Sequence, residues 1–203
     1  MKTLEKAQQF IEFSTLSLSG EEDFVPFVIV IDERDKEFFV GFGHMPDEPE
    51  GKDHLADMIT ALCIVHGAVE VAFGSSAWSA LTSVDDNSDV PPSKRPNRKE
   101  VAFISAANSA GISNVCVASM VRESGKVGVG LWEQLPLAGV PGRFAEALHM
   151  GIKLSSRMPA EVRDFLREQI EAGLMTEVVS STVSVIEEAR RTAMTIEKGL
   201  WGK

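Results

Sequence analysis

The chain has 203 residues, of which 44% are hydrophobic and 25% are charged, and this ordinary globular composition excludes wholesale disorder. No window approaches the run of about 20 apolar residues that a membrane-spanning helix needs, so we expect no membrane association. Two cysteines cannot form a disulfide framework, and we therefore expect a protein of the reducing cytoplasm.

The net charge of −10 is unevenly distributed along the chain. Residues 1–92 carry 18 acidic and 5 basic side chains, whereas residues 93–203 carry 12 acidic and 15 basic ones. Because binding to phosphates rests on Lys and Arg side chains that displace counterions, we expect no nucleic acid among the partners. The acidic half is either a solvated face that aids solubility or a surface for a basic protein partner.

The N-terminal part of the sequence predicts a helix, a hairpin, a second helix and a third strand. Residues 24–31 are apolar on both faces and rich in β-branched residues, which indicates a strand buried on both sides. Gly67 supplies the left-handed residue that commonly ends a helix. The predicted elements are a helix over residues 3–18, strands over residues 24–31 and 37–42, a helix from Asp53 to Gly67, and a strand over residues 69–78.

The remaining strands are joined by turn sequences, which favours an antiparallel meander over a parallel sheet. Strands are predicted over residues 99–107, 114–122 and 127–133. The fold class is therefore α+β: a mostly antiparallel sheet of five to six strands with one crossover helix, an N-terminal helix and a helical C-terminal region. We divide the chain into a sheet domain, residues 1–138, and a helical region, residues 139–203.

The last predicted helix has a narrow apolar seam with steps of three, four and seven residues. Such a seam either packs on the chain's own sheet or meets a second copy, which would make the protein a homo-oligomer. The residues of the predicted oligomerisation seam are Val179, Val183, Ile186, Ala193 and Ile196.

The standard catalytic and nucleotide-binding motifs are incomplete in this sequence. Gly41 and Gly128 each begin a G-x-G, but neither has the third glycine of a dinucleotide-binding loop, and both fit strand glycines better. Ser76 follows a strand as a nucleophile would, but Trp78 stands where the sharp turn needs glycine. Cys63 and Cys116 lie on apolar stretches and are predicted to be core thiols. We expect no cofactor.

Two weaker sets of polar residues remain as candidate sites. His44, His54 and Asp57 could hold a divalent metal, although solvated loop and helix groups are the simpler explanation. The second set could bind an acidic partner or a phosphate, against the simpler reading of a solvated loop that leads into a strand. It consists of Trp78 and the basic residues Lys94, Arg95 and Arg98.

The stretch from Val69 through Ser75-Ser76-Ala77-Trp78, followed by a variable loop and by Arg95-Pro-Asn-Arg-Lys-Glu100, resembles a family of uncharacterised bacterial and phage proteins. In that family a strand ends in Ser-Glu-Ala-Trp and the next begins after Pro-x-Arg-x-Glu. Ser76 stands here in place of the glutamate, and the resemblance covers about residues 55–107. It implies a small α+β domain of phage origin and transfers no catalytic residue.

Two functional hypotheses follow. The first is a non-enzymatic binding or assembly protein, in its most specific form a phage-encoded inhibitor that binds a host-defence protein through an acidic surface. The alternative is a small metal- or ligand-binding enzyme with a pocket near Trp78, His44, His54 and Asp57. Nothing in the sequence identifies a substrate.

Overall fold

The structure, a computed structural model, describes residues 1–20, 22–80, 90–135 and 142–172. These residues form four α-helices, one short 3₁₀ helix (Pro92–Lys94) and seven strands, which confirms the predicted α+β class. The elements are α1 (Lys2–Thr15), β1 (Phe27–Asp32), β2 (Glu37–Gly41), α2 (Pro49–His66), β3 (Ala68–Ser79), β4 (Lys99–Asn108), β5 (Ser113–Glu123), β6 (Lys126–Val129), β7 (Glu133–Leu135), α3 (Arg143–Ser155) and α4 (Ala160–Glu171).

All seven strands belong to one curled antiparallel sheet with the order β2-β1-β3-β4-β5-β6, and β7 pairs with β5. Strands β2 and β3 lie on either side of β1 and both pair antiparallel with it. Helix α2 connects them and is therefore the predicted crossover helix. No described helix has the length and apolar character needed to cross a membrane.

The predicted strand over residues 127–133 is two strands, β6 and β7, on the same side of β5. Met120 pairs with Val129, but Val117 pairs with Glu133, so the register shifts by one residue between the two segments. An extra residue of this kind is a β-bulge, which bends the strand and strengthens its twist. Gly130–Trp132 forms the bulge and carries the strand toward α1.

Helices cover both faces of the sheet. Helices α2 and α3 pack on one face, where Val28, Val30 and Phe73 are buried. Helix α1 packs on the other face, where Phe27 and Ile29 are buried. Because β1 contributes side chains to both cores, its apolar sequence without alternation is explained. Helix α4 adds a smaller core with α2 and α3.

The predicted turns are confirmed by local hydrogen bonds. Asp32 Oδ1 accepts the N–H groups of Arg34 at 2.9 Å and Lys36 at 2.8 Å, which closes the β1–β2 turn. Gly67 has φ +65° and ends α2 in the left-handed conformation. Ser124 and Gly125 both have positive φ, the requirement of the two-residue turn that joins β5 to β6.

Three predicted boundaries are wrong, the first being the end of α1, which is Thr15 and not residue 18. Helix α2 begins at Pro49 and not at Asp53, because proline fits the first helical position, where no partner for its missing N–H is needed. Asp53 lies inside the helix and pairs with Arg143 at 2.7 Å. Strand β1 begins at Phe27 and not at residue 24, directly after Pro26, which has no N–H to donate to a neighbouring strand.

Helices α2 and α3 approach each other closely at Gly151. A Cβ atom at this position would lie 2.6 Å from Cys63 Cβ and 3.4 Å from Thr60 Cα. Thr60 Oγ1 also donates to the Ala147 carbonyl at 3.3 Å, which joins the same two helices. The domain boundary proposed at residue 138 falls outside the described residues, but α3 packs on α2, β3 and β4.

We predict that Gly151→Val destabilises the protein by about 1–3 kcal/mol, because the added methyl groups overlap the α2 backbone and Cys63. Helix propensity alone would favour the substitution, so the sign of the effect tests the close approach. Urea unfolding followed by circular dichroism measures it. Gly43→Val is the matched control, since nothing lies within 4 Å of a Cβ there; equal losses in the two variants would contradict the prediction.

Candidate functional site

Three large apolar side chains are exposed at the C-terminal end of α1 and on the β6–β7 bulge. The exposed fraction is 76% for Phe13, 81% for Leu16 and 90% for Leu131. Trp132, the neighbour of Leu131, donates its indole N–H to Glu12 Oε1 at 2.8 Å and so fixes the bulge beside the helix. We call Phe13, Leu16 and Leu131 the α1 patch.

The surroundings of the α1 patch are mainly acidic. Glu12 and Glu22 are exposed beside it, and Lys126 lies opposite Ser19. The last turn of α1 has no basic residue, so the negative end of the helix dipole is uncompensated there. The patch is therefore an apolar surface with a mainly electronegative border.

The α1 patch is not among the sites predicted above, although the amino-acid sequence contains a signal for it. Ile11 lies on the inner side of α1 and is fully buried against the sheet. Phe13 and Leu16 lie three residues apart on the opposite, outer side of the helix, where polar residues are expected. Large apolar residues outside the buried stripe of a helix indicate a contact surface.

The structure brings two of the predicted binding residues together. The guanidinium of Arg98 lies 4.7 Å from the centre of the Trp78 ring, which is 45% exposed. Arg95 Nε donates to the Val90 carbonyl at 2.7 Å, and Arg98 donates to the Ser93 carbonyl. Both arginines thus hold the loop before β4. Lys94 is exposed on the same loop. Binding by this set stays a prediction.

The predicted metal ligands lie around the start of α2. His44 is exposed in the preceding loop, and His54 and Asp57 are partly buried within the helix. Among the described residues, no group of three or more His, Cys, Asp or Glu side chains could hold a metal ion. The metal hypothesis stays a prediction without geometric support.

A charged cluster ties the loop after α1 to the sheet. Arg122 donates Nε to Glu100 Oε2 at 2.8 Å and a second bond to Glu100 Oε1 at 2.5 Å. Its remaining N–H groups reach the carbonyls of Gly20 and Glu22 and the carboxylate of Asp23. All five guanidinium donors have acceptors, so we interpret Arg122 as a structural clamp and not as a ligand-binding group.

The two carboxyl groups of this cluster have opposite pKa shifts. Burial raises the pKa of Asp23, and the neighbouring Glu100 raises it further. Hydrogen bonding to Arg122 lowers the pKa of Glu100. Glu100, whose pKa is lowered, stabilises the fold above its ordinary pKa, and this stabilisation is lost as the pH falls through the lowered value. Asp23, whose pKa is raised, acts in the opposite direction: its contribution to stability is present at low pH and is lost as the pH rises through the raised value.

We predict that Arg122→Met lowers the free energy of unfolding by about 2 kcal/mol at pH 7, because the partly buried carboxylates of Asp23 and Glu100 lose the guanidinium that donates to them. Below about pH 4 protonation of Glu100 and Asp23 relieves their repulsion, so the loss shrinks. Urea unfolding at pH 7 and at pH 4 measures the loss of stability under the two conditions. Arg167→Met, which breaks an exposed pair with Asp164, is the control and should change stability by less than about 1 kcal/mol at either pH. A loss of the same size at pH 7 and pH 4 would contradict this role.

A serine–histidine contact lies at the start of β5. Ser113 Oγ and His149 Nε2 are 2.5 Å apart. In the described part of the chain no carboxylate orients the other ring nitrogen of His149, as a catalytic triad would require. The contact therefore joins α3 to β5 and does not establish a nucleophile.

Both cysteines are buried, as predicted from the sequence. Burial raises the pKa of the Cys63 thiol to about 12 and also raises that of Cys116. Since the thiolate is the reactive form, neither cysteine is prepared for nucleophilic chemistry.

We expect iodoacetamide at pH 8 to alkylate Cys63 and Cys116 at least about 100-fold more slowly in the native protein than in the unfolded chain, because both are buried and protonated. Peptide mass spectrometry after timed quenching measures the two rates. The same chain in 6 M guanidinium chloride is the control. Rapid native modification of Cys63 would show that its burial or its raised pKa is wrong.

The predicted oligomerisation seam, Val179, Val183, Ile186, Ala193 and Ile196, lies outside the described residues, and self-association through it stays a prediction.

Comparisons with protein-family models, with curated proteins and with solved structures find no match for this chain. The resemblance to uncharacterised bacterial and phage proteins therefore gains no support from them.

Proposed function

We propose that this chain is a non-enzymatic binding protein and that its α1 patch receives a basic protein partner. The observation that supports the proposal is the 76–90% exposure of Phe13, Leu16 and Leu131 within an acidic border. Burying a large apolar side chain is worth about 1.5–3 kcal/mol, and this gain is not realised at these three positions in the chain alone. Exposed apolar groups ringed by polar ones are typical of a protein interface.

The charge of the border favours a different protein over a second copy at this patch. A two-fold contact would bring Glu12 and Glu22 of one copy toward the same acids of the other, which is unfavourable. A partner with apolar anchors and a basic border removes that repulsion and gains electrostatic steering. The net charge of −10 supports the same choice and argues against nucleic acid.

The more specific form of the proposal rests on the amino-acid sequence and its resemblance to bacterial and phage proteins. The partner is a host-defence protein, the chain is a phage-encoded inhibitor, and binding occurs in the cytoplasm. The competing hypothesis, a metal- or ligand-binding enzyme near Trp78, His44, His54 and Asp57, has no comparable observation in its favour.

Site-specific photo-crosslinking tests the proposal. We place p-benzoylphenylalanine at position 13 or 131 in the full chain and irradiate it in cell extract. Ile112, which is 53% exposed in the β4–β5 turn at the other end of the sheet, is the control position. We expect the same basic protein to be captured from positions 13 and 131 but not from 112.

The purified partner then provides a quantitative test. The double variant Phe13→Ser/Leu16→Ser should weaken its affinity by at least about 100-fold, because two apolar anchors are lost. Affinity should also fall as salt is raised, since the borders attract each other. Unchanged affinity in the double variant, or capture of a second copy of this chain in place of another protein, would refute the proposal.

A further inference from the structure

A cleft of about 720 Å³ lies where α2 and α3 end above the sheet, apart from the α1 patch. Five segments line it: the β1–β2 turn, the C-terminal end of α2 with the start of β3, the β4–β5 turn, the C-terminal half of α3, and the chain that leads into α4. Its volume is in the range of sites that hold small molecules.

The lining of the cleft is basic, although the chain is acidic. It includes Arg34, Lys153, Arg157 and Arg163, against the acids Asp32 and Glu33. One oxygen of Asp32 is already engaged by backbone N–H groups of its own turn. The balance of charge in the cleft therefore favours an anion.

Two of these arginines are available for a ligand. Within the described residues, neither Arg34 nor Arg163 takes part in an ion pair. Arg163 Nε donates to the Met158 carbonyl at 3.2 Å, which holds the guanidinium at the wall of the cleft. A guanidinium fixed on one side presents its other N–H groups as a planar fork, which suits phosphate oxygens.

The remaining lining suits an organic molecule more than a bare ion. Val65 and Ile152 contribute apolar wall, and Ser109 and Ser156 add hydroxyl groups to the lining. Burial, with Arg167 and Lys36 nearby, lowers the pKa of His66, so this residue is mostly neutral at pH 7. The positive charge that a ligand would meet thus resides on Arg34 and Arg163.

We infer that this cleft binds a small organic phosphate, with Arg34 and Arg163 as its principal phosphate ligands. The assignment is independent of the protein-binding role, because it uses none of the residues of the α1 patch. The cleft cannot be predicted from the sequence, since the two arginines lie 129 positions apart and on different elements.

Isothermal titration calorimetry on the full chain tests this inference, with ribose 5-phosphate as the probe and citrate as the carboxylate comparison at equal ionic strength. We expect ribose 5-phosphate to bind and citrate to bind at least tenfold more weakly. The variant Arg34→Met/Arg163→Met should lose at least tenfold in affinity. The control Lys94→Met/Lys99→Met removes the same charge outside the cleft and should bind normally.

A second measurement does not depend on any variant. In heteronuclear NMR of the full chain, ribose 5-phosphate should shift the amide signals of Ser109, Gly111 and Lys153 and leave those of α1 in place. No binding to the unmodified chain, equal loss in the control variant, citrate affinity equal to that of the phosphate, or shifts outside the cleft would each overturn the inference.

Discussion

The central sheet is buried on both faces, and this burial determines where the helices of the chain must pack. Phe27 and Ile29 of β1 enter the core under α1, while Val28 and Val30 enter the core under α2 and α3. A strand that is apolar on both sides is stable only if helices cover both faces, and the chain supplies them from its two ends and its middle. Close packing follows: a Cβ on Gly74 would lie 2.5 Å from Phe27 Cζ.

Much of this fold is predictable from the sequence because its signals are local. The left-handed Gly67, the Asp32 turn and the two-residue turn at Ser124 follow from residue chemistry within a few positions. The bulge at Gly130–Trp132 was not predictable, because it arises from the register of β5 with two separate segments. The start of α2 at Pro49 is hard to predict, because proline is also common in loops and Asp53 offers an equally good N-cap.

The candidate sites are harder to predict from the sequence, because they are assembled from distant parts of the chain. Arg122 joins Glu100, 22 residues away, to the loop after α1, about 100 residues away. The incomplete catalytic motifs could be recognised from spacing alone, because spacing is what those motifs require. Spacing does not reveal which distant side chains share a surface. Lys94 and Arg98 could be predicted as a set because they are close in sequence, whereas Phe13 and Leu131 could not.

The packing of α1 also determines the order in which this chain acquires its structure. Strand β1 follows α1 directly, yet the other strands that cover the helix, β3, β4 and β6, come some 55 to 125 residues later along the sequence. The bond between Glu12 and Trp132 spans 120 residues. Such long-range closure is slow, and a short isolated helix is marginal in water. The cover of α1 is therefore complete only after β6 has formed, although β1 can shield part of its apolar stripe much earlier.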